Sequence, residues 1–71
     1  MAGATFAIVL NGENREVLPG TTVAGLLRDL SLPLARVAVE RNREIVRKPD
    51  YESVPLAPGD RLEIVTFVGG G

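Results

Sequence analysis

The sequence predicts an α+β domain in which one main helix packs on one face of a mixed sheet of four or five strands. The order of β-prone and helical segments, a single apolar helical stripe and a length of 71 residues support this prediction. A chain this short buries only about 60% of its extended surface, so it forms one core. We expect the domain to span residues 1–66 and a flexible, glycine-rich tail to occupy residues 67–71.

The first third of the chain predicts a β-hairpin. Residues 6–10 are apolar and rich in β-prone types, and residues 15–18 resume an extended pattern. Residues 11–14, Asn-Gly-Glu-Asn, have the composition of a turn, and Asn-Gly is the pair most typical of tight hairpins. We therefore expect these two strands to be neighbours in the sheet.

The next segment predicts the helix, after a Pro-Gly break. Apolar residues recur at the helical spacing i, i+3, i+4 and i+7; they are Val23, Leu26, Leu27 and Leu30. Thr21 or Thr22 can cap the N-terminus. We expect Pro33 to end the helix, because the residue before proline disfavours the α region. Gly25 lies inside the helix, where we expect close packing against the sheet.

The second half of the chain predicts three further strands. Residues 37–39 and 44–46 flank a polar turn in which Asn42 is the expected left-handed residue. A proline-rich connection follows, with one helical turn expected near residues 50–53. A Pro-Gly-Asp turn then leads into the last strand at residues 62–68. The predicted order is β-β-α-β-β-β.

The last strand also predicts a docking surface, because side chains alternate between the two faces of a strand. If Leu62 and Ile64 belong to the core, then Val65 and Phe67 form an apolar surface beside the tail. An exposed apolar patch of this kind suggests a site for a protein partner. The alternative is that a β-bulge or a packed loop covers Phe67.

Composition excludes several kinds of site. The chain has no cysteine and no histidine, so disulfides, thiolate sites and the usual general base near neutral pH are missing. A formal charge of −1 is too balanced for a surface that follows nucleic-acid phosphates. The apolar runs are too short to span a membrane, and the N-terminus lacks a basic signal-peptide region. We expect a cytoplasmic protein with no metal site.

Charged residues are interpreted as surface or turn groups. A modest basic cluster contains Arg41, Arg43, Arg47 and Lys48. Because acidic residues are interspersed with it, we interpret it as a solvated surface and not as an anion site. Asp60 is assigned to turn chemistry and Glu63 to strand surface.

The chain ends in FVGGG, with Gly69, Gly70 and Gly71 last. Glycine has no Cβ, so three in a row form a thin segment that can thread a narrow channel. The carboxylate of Gly71 is the best candidate for a reactive group, since no serine or lysine has a positioned base nearby in sequence. A carboxylate becomes an acyl donor only when it is activated, for example by adenylation. The catalysis would then belong to another enzyme.

The predicted order of elements is that of the β-grasp fold of ubiquitin-like proteins. The whole chain resembles the ThiS family, the sulfur carriers of thiamin biosynthesis. The resemblance rests on the Asn11-Gly12 hairpin, on GTTVAGLLRDL, VAVERNREIV and PGDRLEIVTFVGGG, and on the Gly-Gly end. The residues before Ile8 resemble a short N-terminal extension.

This resemblance implies a carrier cycle. An adenylating enzyme of the ThiF type would use ATP and Mg²⁺ to convert the Gly71 carboxylate to an acyl-adenylate. Sulfur from a cysteine desulfurase would then form a Gly71 thiocarboxylate, and a thiazole synthase of the ThiG type would accept that sulfur. Gly70 and Gly71 would be the functional pair, Gly69 and Gly70 would thread the channel, and the carrier would bind no permanent cofactor.

Two alternatives remain open. The analogous carrier of molybdopterin synthase shares the fold and the Gly-Gly end but serves a different recipient; the short length and VERNREIV favour the thiamin carrier. The other alternative is a ubiquitin-like interaction module whose tail is never activated.

Overall fold

The computed structural model describes residues 4–67. Its regular elements are β1 (Phe6–Leu10), β2 (Glu13–Val17), α1 (Val23–Asp29), β3 (Val37–Arg41), β4 (Glu44–Val46) and β5 (Arg61–Thr66). Short 3₁₀ turns at Leu34–Arg36 and Lys48–Asp50 lie in the connections. The predicted α+β class and order of elements are confirmed. Residues 68–71 of the predicted tail lie outside the described residues, so the boundary between domain and tail stays a prediction.

The five strands form one mixed sheet in the order β2-β1-β5-β3-β4. β1 and β5 run parallel, whereas all other neighbours are antiparallel. The last strand in sequence is therefore the central strand of the sheet. With one helix on one face, this is the predicted β-grasp arrangement.

The core lies between α1 and one face of the sheet. Leu62 and Ile64 of β5 are 1% and 8% exposed. They belong to one cluster with the other buried apolar residues, which are Ile8, Val17, Val23, Ala24, Leu26, Leu27, Val37, Val39, Tyr51 and Leu56. Full burial of a large apolar side chain contributes about 1.5–3 kcal/mol. The alternation of side chains along β5 is thus set by the core.

The helix begins as predicted but ends earlier. Thr22 caps it, since its Oγ1 accepts a hydrogen bond from the Gly25 N–H at 3.1 Å. At the other end the Leu32 N–H donates to the Leu27 carbonyl at 2.9 Å. The Ser31 N–H donates to the carbonyl of Arg28 at 3.0 Å, and Ser31 is left-handed, with a φ of 59°. This Schellman motif ends the helix, so the prediction that Pro33 ends it is wrong.

The expectation that Gly25 packs closely against the sheet is also wrong. A Cβ built at this position would meet only Thr21 Cγ2 and Thr22 Oγ1, each at 3.5 Å. Both atoms precede the helix, and 3.5 Å is an ordinary van der Waals distance. The sheet therefore places no demand for glycine at this position.

Both hairpins close with two left-handed residues. Asn11 and Gly12 have φ values of 49° and 86°, and Asn42 and Arg43 have values of 53° and 71°. Positive φ at both central residues matches the right-handed twist of the flanking strands. The left-handed conformation predicted for Asn42 is confirmed. The first turn is shorter than predicted, because β2 already begins at Glu13.

The connection between β4 and β5 caps the helix and completes the core. The backbone N–H groups of Val23 and Ala24 donate to the carbonyls of Val54 and Tyr51 at 3.0 and 2.8 Å. Two N–H groups at the start of the helix are thereby satisfied. Tyr51 is 2% exposed, and its hydroxyl donates to a carbonyl of β3 at 3.4 Å. The predicted helical turn near residues 50–53 begins two residues earlier, at Lys48–Asp50.

Asp60 anchors the start of β5. Its carboxylate accepts hydrogen bonds from Arg41 Nε at 2.7 Å, from the Ala57 N–H at 2.8 Å and from Asn42 Nδ2 at 3.0 Å. Burial alone would raise the pKa of Asp60, but these bonds and the Arg41 charge outweigh it and hold the pKa below its ordinary value. Asp60 therefore does more than shape a turn, and Arg41 is ion-paired and not part of a freely solvated cluster.

We expect Asp60 to make folding stability depend on pH. Because its pKa is lower in the folded state, its contribution is fully present above the unfolded-state pKa of about 3.9 and is lost as the pH falls through the folded-state value. Asp60→Asn should lower the free energy of unfolding at neutral pH by about 1–3 kcal/mol. The substitution should also make the free energy of unfolding depend less on pH in the acid range.

Chemical denaturation of wild type and Asp60→Asn between neutral and acidic pH measures both effects. Glu63→Gln removes an exposed carboxylate from β5, close to Asp60 in the sequence, and is the matched control. Equal slopes of stability against pH in wild type and Asp60→Asn would contradict the prediction.

Candidate functional site

The face of the sheet opposite the helix carries the predicted docking residues. Val65 is 57% exposed and Phe67 is 54% exposed, while Leu62 and Ile64 lie in the core. The predicted apolar surface beside the tail is therefore present, and no described residue covers Phe67 as a bulge or packed loop would. We call this side of the sheet the open face. A docking role for Val65 and Phe67 stays a prediction.

Ile45 adds a third large apolar side chain to the open face. It is 68% exposed and lies opposite Glu40, which lies opposite Glu63 on β5. Directly opposed residues point to the same face, so Ile45 shares the face of Val65. Ile45 could not be placed from the sequence, because its face follows only from the pairing of β4 with β3.

The end of β5 is fixed to the neighbouring strand. Thr66 lies opposite Val37, and the Phe67 N–H donates to the Arg36 carbonyl at 2.8 Å. Pairing with the β3 segment thus continues to the last described residue. The predicted tail residues Gly69, Gly70 and Gly71 lie outside the described residues, so their roles stay predictions.

Two shallow cavities adjoin β5. One, of about 180 Å³, lies at the β5 end away from the tail and is lined by Val9, Gly12, Glu40, Arg43, Arg61, Leu62 and Glu63. Its charged groups have both signs, so it offers no net attraction for an ion of either sign. The other, of about 280 Å³, lies beside the tail end of β5 and is lined by Leu10, Asn11, Leu30, Leu32, Ile64 and Thr66. We call the second cavity the edge groove.

The charged residues singled out in the sequence lie in separate surroundings in the structure. Asp60 is buried in its hydrogen-bond network, whereas Glu63 is exposed on the open face, so the two carboxylates do not act as a pair. Lys48 Nζ donates to the Val37 carbonyl at 3.3 Å. Within residues 4–67, no cluster of acidic side chains could hold a metal ion. This part of the chain offers surfaces for binding.

Membrane insertion through a helix is not supported by the described residues. Over residues 4–67, no helix has the length and apolar character needed to span a membrane.

Comparison with known proteins identifies the family. A sequence model of the ThiS family matches residues 8–71. The sulfur carrier protein ThiS of Bacillus subtilis is 44% identical over 63 residues, which cover 87% of this chain and 96% of that protein. The crystal structure of the thiamine biosynthesis protein ThiS from Geobacter metallireducens has a TM-score of 0.78 at 29% identity. It covers 93% of this chain and 100% of the other.

Two longer proteins also contain a region that is similar to this chain. A thiazole synthase of Paramagnetospirillum magneticum is 50% identical over 64 residues, which cover 90% of this chain and 20% of that protein. The chain spans the same share of a thiazole synthase from Magnetococcus marinus, at 45% identity. The family match, the Bacillus carrier and the Geobacter structure agree with one another and confirm the resemblance seen in the sequence. The chain belongs to the ThiS family.

Proposed function

We propose that this chain is a sulfur carrier of thiamin biosynthesis that holds sulfur as a thiocarboxylate on Gly71. The observation that carries the proposal is the match to the ThiS family over residues 8–71, which includes the terminal glycines. The exposed apolar side chains of Val65 and Phe67 beside the root of the tail support it. In this role the chain is a co-substrate of other enzymes, and we propose a cytoplasmic location.

The proposed chemistry takes place in two steps at Gly71. On an adenylating enzyme of the ThiF type, which binds the ATP and Mg²⁺, a Gly71 carboxylate oxygen attacks the α-phosphorus of ATP and pyrophosphate leaves. A hydrosulfide equivalent derived from a cysteine desulfurase then attacks the acyl carbon. AMP departs with its oxygen, a proton is released, and a thiocarboxylate remains. The carrier supplies the acyl group, and the enzyme supplies the activation and excludes water.

The length of an extended chain limits the distance between Gly71 and the open face. Gly71 lies four residues beyond Phe67, and an extended chain spans at most about 3.3–3.6 Å per residue. The carboxyl carbon of Gly71 therefore stays within about 16 Å of the Phe67 Cα. An enzyme that binds the open face through Val65 and Phe67 can take the tail into a channel at that distance. Burying these two side chains would contribute binding energy without the core having to change.

The recipient is proposed to be a thiazole synthase of the ThiG type. Two thiazole synthases contain a region similar to this chain, at 50% and 45% identity. A donor domain and an acceptor enzyme in one polypeptide meet at high effective concentration. These matches favour the thiamin carrier over a carrier of molybdopterin synthase and over a module whose tail is never activated.

Intact mass spectrometry tests the proposed function. After incubation with ATP, Mg²⁺, the cognate adenylating enzyme and a sulfide source, we expect a mass gain equal to the replacement of one oxygen by sulfur. A variant lacking Gly71 should show no gain. An unchanged wild-type mass, with the enzyme shown to be active on another carrier, would overturn the proposal.

Gly70→Val tests the narrow channel. A β-branched side chain widens the tail next to the reacting carbon, so we expect thiocarboxylation to slow by at least about tenfold while the unfolding midpoint stays that of wild type. Gly69→Val should have a smaller effect, because Gly69 lies one residue farther from that carbon. The rate follows from a time course of the same mass gain. Ordinary turnover of Gly70→Val would rule out a narrow channel.

Phe67→Asp tests the docking role of the open face. Leu18→Asp is the matched control, because both wild-type side chains are 54% exposed and Leu18 follows β2 at the far edge of the sheet. We expect Phe67→Asp to weaken binding to the adenylating enzyme by about tenfold or more, since it places a charge at the apolar contact. Leu18→Asp should bind within about twofold of wild type. Titration calorimetry measures both, and equal affinities for the two variants would contradict the docking role.

A further inference from the structure

The backbone of β5 directs its hydrogen-bonding groups alternately to its two neighbours. Toward the β3 side, the Asn42 N–H donates to the Arg61 carbonyl and the Phe67 N–H donates to the Arg36 carbonyl, each at 2.8 Å. Bonds to one neighbour involve every second residue of a strand. The N–H and carbonyl groups of Leu62, Ile64 and Thr66 therefore point toward β1.

β1 pairs with only the first part of the β5 edge that faces it. Its register with β5 covers Val9 opposite Arg61 and Leu10 opposite Leu62. The Asn11 N–H then donates to the Leu62 carbonyl at 2.8 Å, and the hairpin turns away from β5.

The Asn11 side chain continues the ladder by one more position. Its Oδ1 accepts from the Ile64 N–H at 2.8 Å, and its Nδ2 donates to the Ile64 carbonyl at 3.2 Å. One side-chain amide thus takes the place of a peptide group of a neighbouring strand. Because Asn11 fills the Ile64 position, the first open position of the edge is Thr66.

Thr66 has backbone groups available for pairing and lies beside an apolar groove. The N–H and carbonyl of Thr66 point to the β1 side of β5, beyond the point where β1 stops pairing with it. Residues 4–67 supply no hydrogen-bond partner for these two groups. The edge groove adjoins this position, and Leu10, Leu30, Leu32 and Ile64 make most of its lining apolar. A strand added at a sheet edge gains affinity from main-chain hydrogen bonds and specificity from pockets that receive alternate side chains.

We propose that the β5 edge at Thr66 pairs with an extended segment of the adenylating enzyme, and that one apolar side chain of this segment enters the edge groove. The inference rests on the proposed function. Gly71 is five residues from Thr66, so an enzyme that holds Gly71 lies within about 18 Å of this edge. That constraint favours the adenylating enzyme as the occupant, because it must hold Gly71 before any sulfur is attached, whereas a second copy of the chain would have no reason to meet the edge at this place.

The test compares two substitutions at Thr66. Thr66→Pro removes the N–H that points to the open edge, and it spares the β3 ladder because that ladder uses the Val65 and Phe67 N–H groups. Thr66→Val keeps the N–H and the β-branched shape, so it is the matched control. Affinity for the cognate adenylating enzyme is measured by titration calorimetry. Amide hydrogen exchange of the wild type, alone and in that complex, needs no variant and serves as a second measurement.

We expect Thr66→Pro to bind the adenylating enzyme about tenfold more weakly than wild type, and Thr66→Val to bind it within about twofold of wild type. The Thr66 amide should exchange rapidly in the free chain and at least about tenfold more slowly in that complex. The Phe67 amide, already bonded to Arg36, is the internal reference in both states.

Wild-type affinity of Thr66→Pro for the adenylating enzyme, or unchanged exchange at Thr66 in its complex, would overturn the edge proposal alone. Protection of Thr66 in the free chain that grows with protein concentration would also overturn it, because a second copy would then be the occupant. If the wild type does not bind the adenylating enzyme and gains no sulfur, the proposed function fails and the edge proposal fails with it.

Discussion

The insertion of β5 between β1 and β3 is the constraint on which the rest of the structure depends. The sheet is complete only when β5 lies between β1 and β3, two strands that come earlier in the sequence and are not neighbours in it. Leu62 and Ile64 must then face the helix to close the core, so Val65 and Phe67 must face away from it. A slip of one residue would reverse this and bury the wrong pair. The same burial that stabilises the fold thus exposes the apolar surface beside the tail.

The sequence predicted the parts of the fold that local patterns determine. The helical stripe and the Asn-Gly hairpin depend on residues close together in the chain, and both are present. The helix end was missed because a serine, Ser31, takes the left-handed conformation that sequence rules assign mainly to glycine. Tyr51 was not predicted to lie in the core, since its burial depends on a connection that folds back onto the helix. Such contacts join segments that no local pattern relates.

The candidate site likewise contains residues that local sequence patterns could place and residues that they could not. Val65 and Phe67 could be placed on one face because alternation along a single strand is local. Ile45 could not, because its face depends on the register between β4 and β3. The ion pair of Arg41 with Asp60 was missed, and Arg41 was grouped with its sequence neighbours, because its partner lies 19 residues away. The tail glycines are outside the described residues, so their roles rest on the family and not on geometry.

The end of β5 offers a partner contacts in two directions within three residues. The side chains of Val65 and Phe67 point out of the open face, whereas the backbone groups of Thr66 point within the plane of the sheet. A single apolar patch would let a partner rotate about it, since hydrophobic contact is non-directional. A hydrogen-bonded edge at right angles to that patch restricts the rotation and so fixes the direction in which the chain leaves the sheet. For the proposed carrier, whose reacting carbon would lie a few residues farther on, this direction would determine whether the carbon reaches its nucleophile.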